Sequence, residues 1–188
     1  MRMIRLQILQ PISFLVLLVL SSILAGAQKA SPTESEVKAA YLYNFGKFVR
    51  WQENRRSADS LTICVLGKDP FGTVLDSTVE GESIDGRKIM VKRLASLQES
   101  EPCSILFVGV SEEHHLVAIL NVAQRQGMLT VSDIAHFAQR GGVIGFVTQQ
   151  DKIRFEVNRG VAEQSHLTLS SELLKVASKV IEKVPPQT

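Results

Sequence analysis

Residues 129–158 read LTVSDIAHFAQRGGVIGFVTQQDKIRFEVN and contain three short β-type runs. The runs are Leu129–Val131, Val143–Val147 and Ile153–Val157. A Ser-Asp turn and a Gly-Gly turn separate the first two runs, and the polar tract Thr148–Lys152 separates the last two. Two β-type runs joined by a short polar tract predict an antiparallel hairpin at the carboxyl-terminal end of the fold.

The third run alternates apolar and polar side chains. Ile153, Phe155 and Val157 alternate with Arg154 and Glu156. A period of two predicts a strand with one buried and one polar face. We expect the hairpin to form an edge of the sheet, with Arg154 and Glu156 as candidate partner-binding residues. The simpler alternative is that both charges only pair with neighbouring residues.

The preceding part of the chain alternates strand and helix patterns. The apolar runs Leu61–Leu66 and Cys103–Gly109 are typical of strands buried on both faces, and Lys88–Lys92 is a further strand. Helical patterns occupy residues 70–75 and 111–127. The order β, α, β, β, α, β predicts an α/β fold: a three-layer single domain with a largely parallel central sheet and a carboxyl-terminal antiparallel hairpin.

Helices are also predicted at both ends of this domain. Thr33 and Glu36 form a capping box at the start of the first helix. Four apolar residues recur there at helical spacing: Val37, Tyr41, Phe45 and Phe48. We expect this aromatic face to pack on the sheet rather than to form a ligand cage. The last helix is predicted to begin near Ser170 and to carry Leu173, Leu174, Ala177, Val180 and Ile181.

Residues 1–27 have the pattern of a secretory signal peptide. Arg2 and Arg5 precede an apolar run, and Ala25-Gly26-Ala27 forms a cleavage site. The alternative is an uncleaved anchor. The mature domain is then residues 28–188. Without Arg2 and Arg5 the 21 basic residues become 19, which equals the number of acidic residues. A nearly neutral chain argues against a nucleic-acid partner, because phosphate binding needs a basic face.

The chain has two cysteines, Cys64 and Cys103, each in or at the start of an apolar β-type run. In an exported protein an even number of cysteines favours a disulfide. Two buried free thiols are the alternative. No histidine or third cysteine is spaced to complete a metal site with them.

Ser132, Asp133 and His136 are the strongest candidates for chemistry. They follow the carboxyl end of a predicted strand, where α/β folds bind ligands. A hydrolase is one hypothesis, but the chain has no Gly-x-Ser-x-Gly elbow and the Ser and Asp are adjacent. A simpler interpretation is that Ser132 or Asp133 caps a short helix containing Phe137 and Ala138. We therefore predict no catalytic residue and keep Ser132 and Asp133 as candidate ligand-binding residues.

Metal and cofactor motifs are lacking in the sequence. The histidines have no helical i, i+4 pair, and the glycines at 141, 142 and 145 lack the spacing of a phosphate-binding loop. No cofactor is predicted. These observations indicate an exported α/β domain with a binding or regulatory role.

The order of the motifs resembles the YfiR family, which includes HmsC-like proteins. The matching segments are Val37–Phe45, Phe48–Trp51, Leu61–Gly67, Cys103–Gly109, Leu129–Asp133, Gly141–Phe146, Ile153–Asn158 and Ser170–Leu174. The resemblance covers nearly the whole mature chain. It implies a periplasmic regulator that binds and represses an inner-membrane diguanylate cyclase of the YfiN type, which lowers cyclic-di-GMP and biofilm formation.

The same resemblance implies a homodimer and a disulfide between Cys64 and Cys103. Some relatives carry a second cysteine pair near the Gly-Gly turn, at positions that hold Ala138 and Gly145 here. The alternative function is a periplasmic small-molecule binding module that serves another membrane sensor, with Ser132 and Asp133 at its site.

Overall fold

The computed structural model describes residues 31–51, 60–97 and 103–182. The helices are α1 (Glu34–Phe48), α2 (Thr73–Val79), α3 (Leu116–Arg125), α4 (Arg159–Gln164) and α5 (Ser171–Val176), with a 3-10 helix (Val110–His115) before α3. The strands are β1 (Val49–Trp51), β2 (Ser60–Leu66), β3 (Ser83–Ile84), β4 (Arg87–Leu94), β5 (Ile105–Val108), β6 (Leu129–Ser132), β7 (Ile144–Gln149), β8 (Lys152–Asn158), β9 (Leu167–Leu169) and β10 (Lys179–Ile181). The predicted signal peptide lies outside the described residues.

Eight strands form the central sheet, in the order β10-β8-β7-β6-β5-β2-β4-β3. Strands β4, β2, β5, β6 and β7 are mutually parallel, and β8 is antiparallel to β7. Strands β1 and β9 form a separate antiparallel ribbon. The predicted α/β fold, its largely parallel sheet and its hairpin are confirmed.

Both faces of the sheet are covered, which explains the continuous apolar runs. On β2, Ile63 and Val65 face the cluster that includes Leu42 of α1 and Leu75 of α2. Leu66 faces the opposite cluster, which α3 covers with Leu116, Ile119, Leu120 and Ala123. A strand that buries both faces needs apolar residues at consecutive positions, as the sequence of β2 has.

Helix α1 packs through an aromatic cluster. Its capping box is present, because Glu36 N donates to Thr33 Oγ1 and the Glu36 carboxylate accepts from Thr33 N. Tyr41 and Phe45 surround Phe155 with ring centroids 5.3 and 5.1 Å away, in edge-on geometry. Such pairs add about 0.5–1.5 kcal/mol each beyond area burial. The expectation of a packed aromatic face holds for these rings.

Phe48 departs from that expectation, because 37% of it is exposed. The buried row of α1 is instead Ala39, Leu42, Phe45 and Gly46, with Lys38 beside it. On a helix rich in apolar residues, more than one set of positions has a spacing of three and four residues. The set predicted from the sequence lies on a face rotated from the one that is buried.

The Cys64–Cys103 disulfide is present, with 5.8 Å between the two Cα atoms. It joins β2 to Cys103, which lies two residues before the start of β5. Ser104 N donates to Thr62 O, and the indole Nε1 of Trp51 donates to Ser104 O at 3.1 Å. The bridge therefore anchors a junction where three parts of the chain meet.

The predicted carboxyl-terminal helix is wrong beyond Val176. The N–H of Ala177 donates to Leu173 O and the chain then becomes extended. Ser178 donates to Phe155 O through both its backbone N–H and its hydroxyl, at 2.9 and 2.8 Å. These bonds place residues Lys179–Ile181 along β8 as the parallel strand β10. Strand β8 is therefore not the edge of the sheet, contrary to the prediction.

Among the described residues, none of the helices is long and apolar enough to cross a bilayer.

Candidate functional site

The polar face of β8 holds the two predicted partner-binding residues in different environments. Arg154 is exposed, and its guanidinium makes no ion pair or hydrogen bond with the described residues. Glu156 is half-buried, and its carboxylate accepts a hydrogen bond from Gln139 Nε2. Arg154 is thus available to a partner, whereas Glu156 is partly committed to the fold.

The segment from residue 133 to 142 covers part of this face. It forms consecutive turns rather than the predicted short helix, with Gly142 N donating to Phe137 O at 3.0 Å. A Cβ on Gly142 would overlap the Phe137 ring, so a side chain there would have to displace that ring. Asn158 Nδ2 donates to Ala138 O at 2.8 Å, which fixes the segment to β8.

Ser132 caps a turn rather than the short helix that the simpler interpretation predicts. Its hydroxyl is fully buried, donates to Val108 O at 2.6 Å and accepts from Ile134 N at 3.0 Å. His136 is exposed and has a positive φ of 58°. A nucleophilic serine needs its proton directed at a base, and the proton of Ser132 is directed at a backbone carbonyl. The hydrolase arrangement is therefore not assembled.

Asp133 instead joins β6 to α1 through a buried lysine. Lys38 Nζ lies 2.9 Å from Asp133 Oδ2 and 2.5 Å from Glu34 Oε1, and only 5% of Lys38 is exposed. Burial alone would lower the pKa of Lys38, but the hydrogen bonds to Asp133 and Glu34 outweigh it and raise the pKa above its usual value. Lys38 remains charged and fastens the helix to the strand end.

The crevice where open α/β sheets usually bind ligands is filled by the protein's own loops. After β2 the chain continues to β4 on one side, and after β5 it continues to β6 on the other side. The gap between β2 and β5 is therefore the topological switch point, where open α/β sheets usually bind ligands. Here Lys68 N donates to Ser111 Oγ at 2.9 Å across the two loops. A Cβ on Gly109 would lie only 2.7 Å from Lys68 O. Two loops in such close contact leave no space for a ligand between them.

The β1–β9 ribbon carries a surface that the sequence interpretation did not identify. Arg50 and Thr168 are exposed and lie opposite each other in register. Both residues line a cavity of about 310 Å³, which also touches Glu163 and His166, and a second one of about 200 Å³ beside Phe48. The sequence feature that could have indicated this surface is the short strand Val49-Arg50-Trp51. Its two outer residues are apolar and buried, so the side chain of Arg50 between them points outward.

Metal ligands do not cluster in the described part of the chain: no group of three His, Cys, Asp or Glu side chains could hold an ion there. His115 lies 3.6 Å from Glu112 on the 3-10 helix, which is a local surface contact.

These features define a class of protein: an α/β domain in which Ser132 and Asp133, at the end of a strand, are bonded within the protein, while exposed charges such as that of Arg154 lie at the surface. The family model described as YfiR/HmsC-like (DUF4154) matches residues 35–178. The chain belongs to this family. Membership supports a general role as a periplasmic regulator that interacts with a membrane protein. No curated protein matches the chain.

Two solved structures share the fold at low sequence identity. One is a conserved domain protein from Vibrio cholerae O1 biovar El Tor, with a TM-score of 0.54, 10% identity and 79% of this chain covered. The other is an ABC domain in complex with L-Trp from Streptococcus pneumonia, with a TM-score of 0.52, 11% identity and 76% covered. The matches span 60% of each of those chains. At such identities the likeness concerns the fold alone.

Proposed function

We propose that the protein is a periplasmic repressor that binds the periplasmic domain of an inner-membrane diguanylate cyclase of the YfiN type. Repression keeps cyclic-di-GMP low and limits biofilm formation. The observation that carries the proposal is the family match over residues 35–178. The commitment of Ser132 and Asp133 to hydrogen bonds and an ion pair within the fold supports it, because a reaction site needs converging free groups.

The polar face of β8 is the proposed contact surface, with Arg154 as the direct contact. An exposed guanidinium that forms no ion pair with the described residues can meet a carboxylate through two parallel hydrogen bonds. Glu156 contributes from the side, through the carboxylate oxygen that Gln139 does not occupy. We further propose that the protein acts as a homodimer.

Gene deletion and a binding measurement test the proposal together. Deletion should raise cellular cyclic-di-GMP in a strain that retains the cyclase, and an unchanged level would sink the proposed function. With purified proteins, Arg154→Glu should weaken binding of the cyclase's periplasmic domain about tenfold or more, because truncating or reversing a contact arginine commonly costs over 1 kcal/mol. Lys175→Glu, an exposed charge reversal on α5, is the matched control.

A small-molecule binding module is the second candidate function. Two observations favour it: the cavity of about 310 Å³ beside Arg50, and the L-Trp complex of the structurally similar ABC domain. The size and the arginine suit a small carboxylate, whereas Ser132 and Asp133 would have to break internal contacts to take part. A thermal-shift screen of amino acids decides it, since a ligand that binds the folded state must raise the melting temperature. No shift at millimolar ligand would remove this candidate.

A further inference from the structure

The polar face of β8 continues onto the neighbouring strand β10. Lys179 and Glu156 are Cα partners in the parallel pairing of the two strands. Residues directly opposite each other on neighbouring strands carry their side chains on the same face of a sheet. Arg154, two residues before Glu156, shares that face because alternate residues of a strand point the same way. Since the sequence pattern predicts a helix at Lys179, this residue was not a candidate for partner binding.

Three cations on this face are available to a partner. Lys152, Arg154 and Lys179 are exposed, and none of their side chains forms an ion pair or hydrogen bond with the described residues. Lys152 lies two residues before Arg154 and therefore points the same way. At about 3.3 Å per residue and 4.8 Å per strand spacing, the Cα atoms of Arg154 and Lys179 are roughly 8 Å apart. The carboxylate between these cations is that of Glu156, which is half-buried and bonded to Gln139.

Apolar side chains lie on either side of these charges. Val147 of β7 is the Cα partner of Arg154, and Ile181 follows Lys179 by two residues on β10. Both lie on the face that carries the cations, and both are half-buried. A docked protein would remove this apolar surface from water, which adds to affinity independently of the charges.

We propose that this face, defined by Lys152, Arg154, Glu156 and Lys179, docks on an acidic surface of the partner protein. The inference rests on the proposed function and specifies the chemistry of the cyclase surface that is recognised. One carboxylate of the partner meets Arg154, a second meets Lys179 about 8 Å away, and a hydrogen-bond donor faces Glu156. Opposite charges on the two proteins also speed association, because they steer the diffusional encounter.

The mixed charge of the face distinguishes a protein partner from other occupants. A uniformly anionic lipid surface would set its phosphates against the Glu156 carboxylate, whereas a folded partner can place a donor there. A second copy of this chain is also a poorer occupant. Each copy would bring Lys152, Arg154 and Lys179 against those of the other, with Glu156 alone on that face to balance them. The charges therefore favour an acidic protein surface.

Association kinetics with the full-length cyclase test the inference. The cyclase is held in nanodiscs of neutral phosphatidylcholine, and the binding of the mature protein is followed at increasing ionic strength. We expect the association rate constant to fall at least about fivefold between about 50 and 500 mM NaCl, because salt shortens the range of electrostatic steering. A rate constant that does not change with salt overturns the inference and leaves the proposed function intact. Absence of any binding refutes the proposed function itself, together with the inference that rests on it.

Neutral variants assign the effect to particular side chains. Lys179→Gln should slow association about threefold, and its combination with Arg154→Gln about tenfold, since each change removes one steering charge. Glutamine is chosen because a glutamate would place a second carboxylate opposite Glu156. The matched control is Lys88→Gln, an exposed lysine of β4 near the other edge of the sheet, which should leave the rate constant unchanged. Equal effects of Lys179→Gln and Lys88→Gln overturn the inference. If Lys179→Gln fails to fold, the salt dependence of the wild-type protein still decides.

Two further measurements identify the other occupants. Empty nanodiscs with about one third phosphatidylglycerol that bind the wild-type protein but not Lys179→Gln would assign the face to lipid headgroups. Sedimentation that shows a dimer dissociated by Arg154→Gln with Lys179→Gln would assign the face to a second copy. Either result overturns the inference. We expect no binding to the empty nanodiscs and the same oligomeric state for the wild-type protein and the double variant.

Discussion

Replacing Ala138 and Gly145 together by cysteine should create a second disulfide in this protein. A Cβ on Gly145 would lie 3.8 Å from the Cβ of Ala138. Disulfides have a mean Cβ separation of about 3.8 Å, so no large backbone movement is needed. The family resemblance puts the second cysteine pair of some relatives at these positions.

The stabilisation follows from the short loop that the bridge closes. For a loop of about eight residues, the chain-entropy model gives about 2.5 kcal/mol at 25 °C. The new Cβ would also lie 3.3 Å from the backbone N of Ala138, a tight contact that costs on the order of 1 kcal/mol. A net gain of about 1–2 kcal/mol corresponds to a rise in melting temperature of about 2–8 °C for a domain of this size.

The assay is thermal unfolding of the oxidised double variant, compared with the wild-type protein and with each single variant. Alkylation followed by mass spectrometry reports whether the introduced thiols are bonded. The single variants should lie at or below the wild-type melting temperature, because they carry the steric change without the bridge. Thiols that stay reactive after oxidation, or a double variant no more stable than the single ones, would refute the proposed geometry of the turn segment.

Three further changes are expected to destabilise the protein. Reduction of Cys64–Cys103 should cost about 4 kcal/mol in the chain-entropy model, and an identical melting temperature with and without reductant would contradict this. Gly142→Ala should cost about 1–3 kcal/mol through overlap with Phe137, measured by urea unfolding, and an unchanged midpoint would show that the ring can move. Lys38→Met should lower stability at pH 7. Because the pKa of Lys38 is raised in the folded state, its contribution is complete below the unfolded pKa and is lost as the pH rises through the folded one, so the difference from wild type should shrink only at strongly alkaline pH.

The hairpin and the parallel strands were predictable because their signals are local. Ile153, Phe155 and Val157 alternate strictly, and Phe155 and Val157 are buried as that alternation requires. The run Leu61–Leu66 is apolar at nearly every position, which suits only a strand buried on both faces. In each case the pattern of apolar residues lies within the strand itself, so the prediction needed no knowledge of distant contacts.

The carboxyl-terminal strand could not be predicted in the same way. Val180 and Ile181 continue the helical spacing of α5, and both residues are also good strand formers. The choice depends on Ser178, whose two hydrogen bonds to Phe155 O exist only once β8 is in place. The helix and strand propensities of these residues were similar, and the tertiary contact of Ser178 with Phe155 determined that they form a strand.

The Lys38–Asp133 ion pair was beyond sequence reasoning for a related reason. The two residues are 95 positions apart, and a lysine on a mostly apolar helix ordinarily lies in solvent. Lys38 can be buried only because α1 approaches the end of β6, where Asp133 supplies the opposite charge. The same contact explains why the Ser-Asp pair resembles a reaction site in sequence although it fastens two elements together.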